Sequence, residues 1–168
     1  MKRARAFTLI EVLVVVVLLG IVAAIVLPSL GKGTTMARES SLAFDLNLLR
    51  RFVLIYKSQH QEVAPGYPGG NTAATPTDQA FRDQAMLSSD AWGQTAAVGT
   101  PSFPCGPYLS KIPANPFNNK DTLEMIANGQ AFPAAADDSH GWVFKPETGE
   151  IRPDNSGTGV DGTSYYDL

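Results

Sequence analysis

The chain has 168 residues, a formal charge of -3 and one cysteine, Cys105. That length holds one ordinary soluble domain. The lone cysteine excludes an intramolecular disulfide, and the acidic balance argues against a general nucleic-acid surface, which needs clustered Lys and Arg.

Three cations, Lys2, Arg3 and Arg5, precede a long apolar run that begins at Phe7 and contains one early carboxylate, Glu11. From Val12 to Leu30 no residue is charged. As a helix this stretch covers about 28 Å, close to the thickness of a bilayer core. The basic residues predict a cytoplasmic N-terminus, which puts everything beyond Leu30 across the membrane, in the periplasm of a Gram-negative cell. A secretory signal carries its small-residue cleavage site after the apolar core. Here the A-x-A-like triplet Ala4-Arg5-Ala6 comes before it, so cleavage leaves the apolar helix on the mature protein.

Ala6 followed by Phe7-Thr8-Leu9-Ile10-Glu11 and the apolar run resembles the class III leader of type IV pilins and type II secretion pseudopilins. The resemblance implies cleavage between Ala6 and Phe7 by the prepilin peptidase, N-methylation of Phe7, and a role for Glu11 in docking a new subunit. Ala6 stands where that family more often has Gly. A carboxylate in hydrocarbon costs at least a few kcal/mol, so Glu11 is expected to find a cation or to snorkel toward the headgroups. The α-amino group that cleavage exposes on a neighbour's Phe7 is such a cation. Removing the leader also takes away Lys2, Arg3 and Arg5 and makes the chain more acidic.

Gly20, Pro28, Gly31 and Gly33 interrupt the helix-compatible run. Gly costs about 1 kcal/mol and Pro about 3 kcal/mol inside a helix, so a joint that kinks or melts is expected between Gly20 and Gly33. From Thr35 to Gln61, Leu42, Leu46, Leu49, Val53 and Tyr56 recur at alternating spacings of four and three, which predicts an amphipathic helix with a broad buried face. Together the two segments make one helix of about 55 residues, roughly 80 Å long, which suits a filament with a helical centre better than a globular core.

Ala64-Pro65-Gly66 ends this helix, and Thr75-Pro76-Thr77-Asp78 opens a short one with Asp78 as N-cap, running to about Ser88 with Phe81, Ala85 and Met86 on one face. Trp92 to Thr100 reads as loop. Gly106-Pro107-Tyr108-Leu109 and Pro113-Ala114-Asn115-Pro116-Phe117 resemble the Pro-rich segment of major pseudopilins, with a structural role. Gly141–Lys145 and Gly149–Arg152 flank a turn and predict a hairpin with Trp142, Phe144 and Ile151 facing the long helix. Leu123 to Ile126, or the tail, is expected to complete an antiparallel sheet of three to four strands.

The tail from Asp154 to Asp167 is rich in oxygen donors and glycine. Major pseudopilins bind calcium in a C-terminal loop, so the resemblance makes Asp154 and Asp161 candidate ligands; a polar, metal-free tail explains the composition equally well. His60 and His140 have no ligand-spaced partner and read as solvated or capping, and Cys105 as a buried or inert thiol. No phosphate-binding loop, nucleophile elbow or zinc-protease motif occurs in the sequence.

The expected fold is α+β and type IV pilin-like: a long N-terminal helix, half membrane-spanning and half amphipathic, on a small antiparallel sheet with long loops. Residues 1–6 form the cleaved leader, 7–33 the transmembrane and polymerisation helix, and 34–168 the periplasmic head. The expected function is that of a non-enzymatic subunit of a type II secretion pseudopilus. The alternatives are a type IV pilin for adhesion, motility or DNA uptake, and a monomeric membrane-anchored binding module. Implied partners are copies of the chain, the prepilin peptidase, the inner-membrane assembly platform with its ATPase, and minor pseudopilins, with no nucleic acid. The protein is expected in the inner membrane as a single-pass chain before it joins the filament.

Overall fold

The computed structural model describes residues 8–168, and residues 25–32 by backbone alone. Ala6, Phe7 and the side chain of Pro28 therefore lie outside the described residues. The chain divides into two compact units, 1–37 and 38–168, and helix α1, Leu9–Gln59, contributes to both.

In the first unit every large apolar residue described between Leu9 and Val22 is half or more exposed. A helix apolar on all sides is stable only within a larger apolar surround. Among the described residues no helix is long and apolar enough to cross a membrane. The expected span continues through residues 25–32, whose side chains lie outside them.

In the second unit the apolar stripe of α1 is buried as its spacing predicts. Leu42, Leu46, Leu49, Phe52, Val53 and Tyr56 are at most 2% exposed and form the spine of the core. The helix ends where Gln61 and Glu62 turn to positive φ and the Glu62 N–H reaches back to the Lys57 carbonyl at 2.9 Å. Helix α2, Asp78–Met86, lays Phe81 and Ala85 against this spine. Its N-cap is Thr77, whose hydroxyl accepts from the Ala80 N–H at 3.2 Å, and not Asp78 as the sequence suggested. Asp78 is drawn elsewhere: it pairs with Arg82 at 2.8 Å and accepts from the Leu123 N–H at 3.1 Å.

Two very short strands, β1 (Ser88–Ser89) and β2 (Thr95–Ala96), pair antiparallel; β2 falls where a loop was expected and β1 at the expected end of the short helix. Two residues carry no legible alternation, so the pairing left no trace in the sequence. Strands β3 (Leu123–Met125), β4 (Trp142–Lys145) and β5 (Glu150–Pro153) form a sheet in that order. The β4–β5 hairpin is antiparallel, as predicted. β3 joins parallel to β4, so the sheet is mixed and not wholly antiparallel. The long connection 126–141 supplies the crossover that a parallel neighbour needs. It also covers the sheet's outer face, where Phe132 and Ala136 pack on Ile126, Val143 and Tyr166.

Trp142, Phe144 and Ile151 lie in the core with α1. The Pro-rich segment is tied in at several points. The Tyr108 and Leu109 N–H groups both donate to the Ala85 carbonyl, at 2.9 and 3.0 Å, closing the end of α2. Trp142 Nε1 donates to the Pro113 carbonyl at 2.9 Å, and fully buried Asn115 donates to the Gly141 carbonyl at 3.0 Å while accepting from the Phe117 N–H.

Candidate functional site

At the start of α1 the Glu11 carboxylate accepts from both the N–H and the hydroxyl of Thr8, each at 2.8 Å, and the Glu11 N–H donates to Thr8 Oγ1 at 3.3 Å. This is a capping box: two of the helix's orphan N–H groups are satisfied reciprocally, and the carboxylate is drawn toward the helix end. The box is written in the sequence as Thr8-x-x-Glu11, a signal separate from the leader motif. Phe7, the expected partner of a neighbour's Glu11, lies outside the described residues. Further along, a Cβ added at Gly20 meets nothing within 4 Å, so no close approach within the unit requires glycine there. The joint expected between Gly20 and Pro28 rests on the sequence alone.

The C-terminal tail is held at two anchors. Buried Asp154 accepts from the N–H groups of Asp137 (3.1 Å), Asp138 (3.2 Å) and His140 (2.7 Å) and from the Ser139 hydroxyl (3.4 Å). The second anchor is Glu39 on α1, one oxygen of which accepts from the Val160 N–H and the Tyr165 hydroxyl, both at 2.9 Å. Burial and the adjoining Glu39 charge push the Tyr165 phenol up to about 12. Asp161 caps its own turn by accepting from the Thr163 N–H at 3.0 Å, which lowers its pKa.

His60 is not solvated as expected. It is buried, stacked on Tyr56 at 3.7 Å between ring centroids, with Nδ1 at 2.7 Å from the Tyr56 carbonyl and Nε2 at 3.0 Å from Ser89 Oγ. The contact to the Tyr56 carbonyl is a capping role, since that carbonyl lies in the last turn of α1. With Nδ1 donating to a carbonyl, the neutral ring accepts from Ser89 at Nε2. Burial lowers its pKa. Cys105 is half-buried and bridged through its backbone to Ser89. Among the described residues no catalytic constellation surrounds either group.

Residues 1–27 match the family described as the prokaryotic N-terminal methylation motif. The chain is 28% identical to type II secretion system core protein G of Klebsiella pneumoniae over 130 residues, 77% of this chain and 79% of the relative. It is 30% identical to type II secretion system core protein G of Aeromonas hydrophila over 129 residues, 77% of each. The chain belongs to the type II secretion system core protein G family. No solved structure matches it significantly.

The two aspartates that the resemblance offered as calcium ligands have separate partners. Both oxygens of Asp154 are already engaged by donors from residues 137–140, whereas Asp161 lies in the exposed turn beside Glu39. Among the described residues no group of three His, Cys, Asp or Glu is arranged to hold a metal ion. Sequence reasoning also missed Glu39 and Gln84 as anchors. Gln84 accepts from the Gly66 N–H at 2.7 Å and donates to the Tyr67 and Gly93 carbonyls. Neither has a sequence-local partner. His60 did leave a signal, because it extends the stripe of Leu49, Val53 and Tyr56 by one more step of four.

Proposed function

We propose that this chain is a structural, non-enzymatic subunit that polymerises into a type II secretion pseudopilus and supports protein export across the outer membrane. The observation that carries the reading is the likeness to core protein G over 77% of the chain, which extends well beyond the leader into the head. The leader is cut between Ala6 and Phe7, Phe7 is methylated, and the chain waits in the inner membrane with its head in the periplasm. Its partners are copies of itself, the prepilin peptidase, the assembly platform with its ATPase, and minor pseudopilins.

Glu11 guides docking. In the free subunit its charge is shared with Thr8, and in the filament it pairs with the α-amino group of a neighbour's Phe7. Gly20 and Pro28 mark the joint where α1 yields during packing.

The test is electron microscopy of cells that make the chain together with its peptidase, combined with N-terminal sequencing. Short trans-periplasmic fibres whose subunits begin at Phe7 are expected; long surface pili instead indicate a type IV pilin. Glu11→Ala is expected to leave insertion and cleavage intact and to stop incorporation. Normal incorporation of that variant refutes the pairing.

A further inference from the structure

The head carries two complementary patches at different levels of α1. The first is a knob, the turn 159–163, where Val160 is 67% exposed. It is no loose loop. The Gly159 N–H donates to the Thr163 carbonyl at 2.8 Å, the Gly162 N–H to the Gly159 carbonyl at 2.9 Å, and the Val160 N–H to Glu39. Asp161, Asp167 and the exposed C-terminal Leu168 give this end of the tail an acidic, apolar character.

The second patch is a groove of about 260 Å³ between α1 and the β4–β5 turn, lined by Val53, Leu54, Lys57, Gly149 and Ile151. Leu54 is 68% exposed and Ile55 beside it 43%. Lys57 in the lining is half-buried and has no ion pair among the described residues, while Arg50 beside it donates to the carbonyls of Ile151 and Leu168. Glu150, the acid in the groove's rim, is already neutralised by Arg152 at 2.7 Å. The groove is thus apolar with a cationic margin.

We infer that the knob of one subunit, Val160 with Asp161 and Asp167, seats on the Leu54–Lys57 groove of a second copy of this chain. The patches differ in shape and charge sign, so each subunit offers one of each. Such a heterologous contact, repeated, builds a ring where its rotation closes and an open helical polymer where it does not, in neither case a two-fold dimer. Burying the apolar centre supplies adhesion, while the opposed charges set register. The inference rests on the polymer reading above and names the contact between heads that accompanies it.

The experiment uses the full chain in membranes with Cys105→Ser as background, one tagged population carrying Leu54→Cys and another Val160→Cys. During assembly and mild oxidation, mixed L54C–V160C dimers are expected, with neither self-pair. Lys57→Glu is expected to cut the mixed product by about tenfold, and Asp161→Lys with Asp167→Lys on the partner to restore it. Fibres that form without the mixed product, or that give L54C–L54C pairs, overturn this contact alone. Absence of fibres from the unmodified chain overturns the polymer reading, and this contact with it.

Discussion

Asp154→Ala tests whether a carboxylate, rather than a metal, holds the tail. The side chain is 1% exposed and accepts three backbone N–H groups, from Asp137, Asp138 and His140, together with the Ser139 hydroxyl. Truncation leaves those donors unpaired, at about 1 kcal/mol or more each. The loop 137–140 is in part exposed, so water compensates some of the loss, and about 3 kcal/mol is expected in total. For a domain of this size that lowers the melting midpoint by about 10–15 °C.

Asp154→Asn keeps one acceptor oxygen and the shape, and falls between the two. The assay is thermal unfolding of the full chain in detergent, followed by tryptophan fluorescence, with and without EDTA. Buried Trp142 reports the core beside this loop. The expected result is a large drop for Asp154→Ala and no change on chelation. A midpoint for Asp154→Ala within about 3 °C of the parent refutes the reasoning, as does a parent chain that chelation destabilises.

Burial lowers the His60 pKa from 6.5, so the folded state resists a proton that the unfolded chain accepts. Stability from the neutral ring is therefore complete above pH 6.5 and is lost as pH falls through that value toward the lower folded pKa. Melting midpoints at pH 7.5 and 5.5, values chosen to bracket the unfolded pKa of about 6.5, are expected to differ more in the parent than in His60→Gln; equal differences defeat this. The Tyr56 hydroxyl is buried with no hydrogen-bond partner among the described residues. Tyr56→Phe is accordingly expected to be neutral or to stabilise by up to about 1 kcal/mol in urea unfolding, and a loss of about 2 kcal/mol contradicts it. Gly70 sits at φ +72°, and a Cβ there comes within 1.8 Å of the Trp92 carbonyl oxygen. Gly70→Ala is expected to cost about 3 kcal/mol or more by the same measurement, and a near-parental midpoint shows that the loop yields.

The elements that repeat along the chain were legible in the sequence. The α1 stripe, the β4–β5 hairpin and the inward set of Trp142, Phe144 and Ile151 follow from spacings of four and three or of two, because burial on one face imposes that period. The short elements were not. β1 and β2 hold two residues each, and the direction of β3 depends on the path of the 126–141 connection. The N-cap shifted from Asp78 to Thr77 because Arg82 and the Leu123 N–H compete for the aspartate.

The site divides in the same way. Ala6 and Phe7 as processing residues and Glu11 as an assembly residue are proposals that rest on local signals alone: a leader, a cut and a carboxylate set in an apolar run. The Thr8–Glu11 box belongs with them, being an interaction across three residues. Asp154 could not be so read. It stood in an oxygen-rich tail, and its donors come from residues 137–140, which no local pattern announces. Glu39 likewise has meaning only beside Val160 and Tyr165, more than a hundred residues away.

By itself, then, the amino-acid order determined that this protein has an apolar N-terminal helix continued as an amphipathic one, and its likeness to type II secretion core protein G. Periodicity and short motifs are properties of neighbours along a chain. Only the tertiary structure decided how the head is clasped and which of its surfaces stay exposed. Those outcomes depend on which polar groups lose water together, and that is settled when distant segments pack.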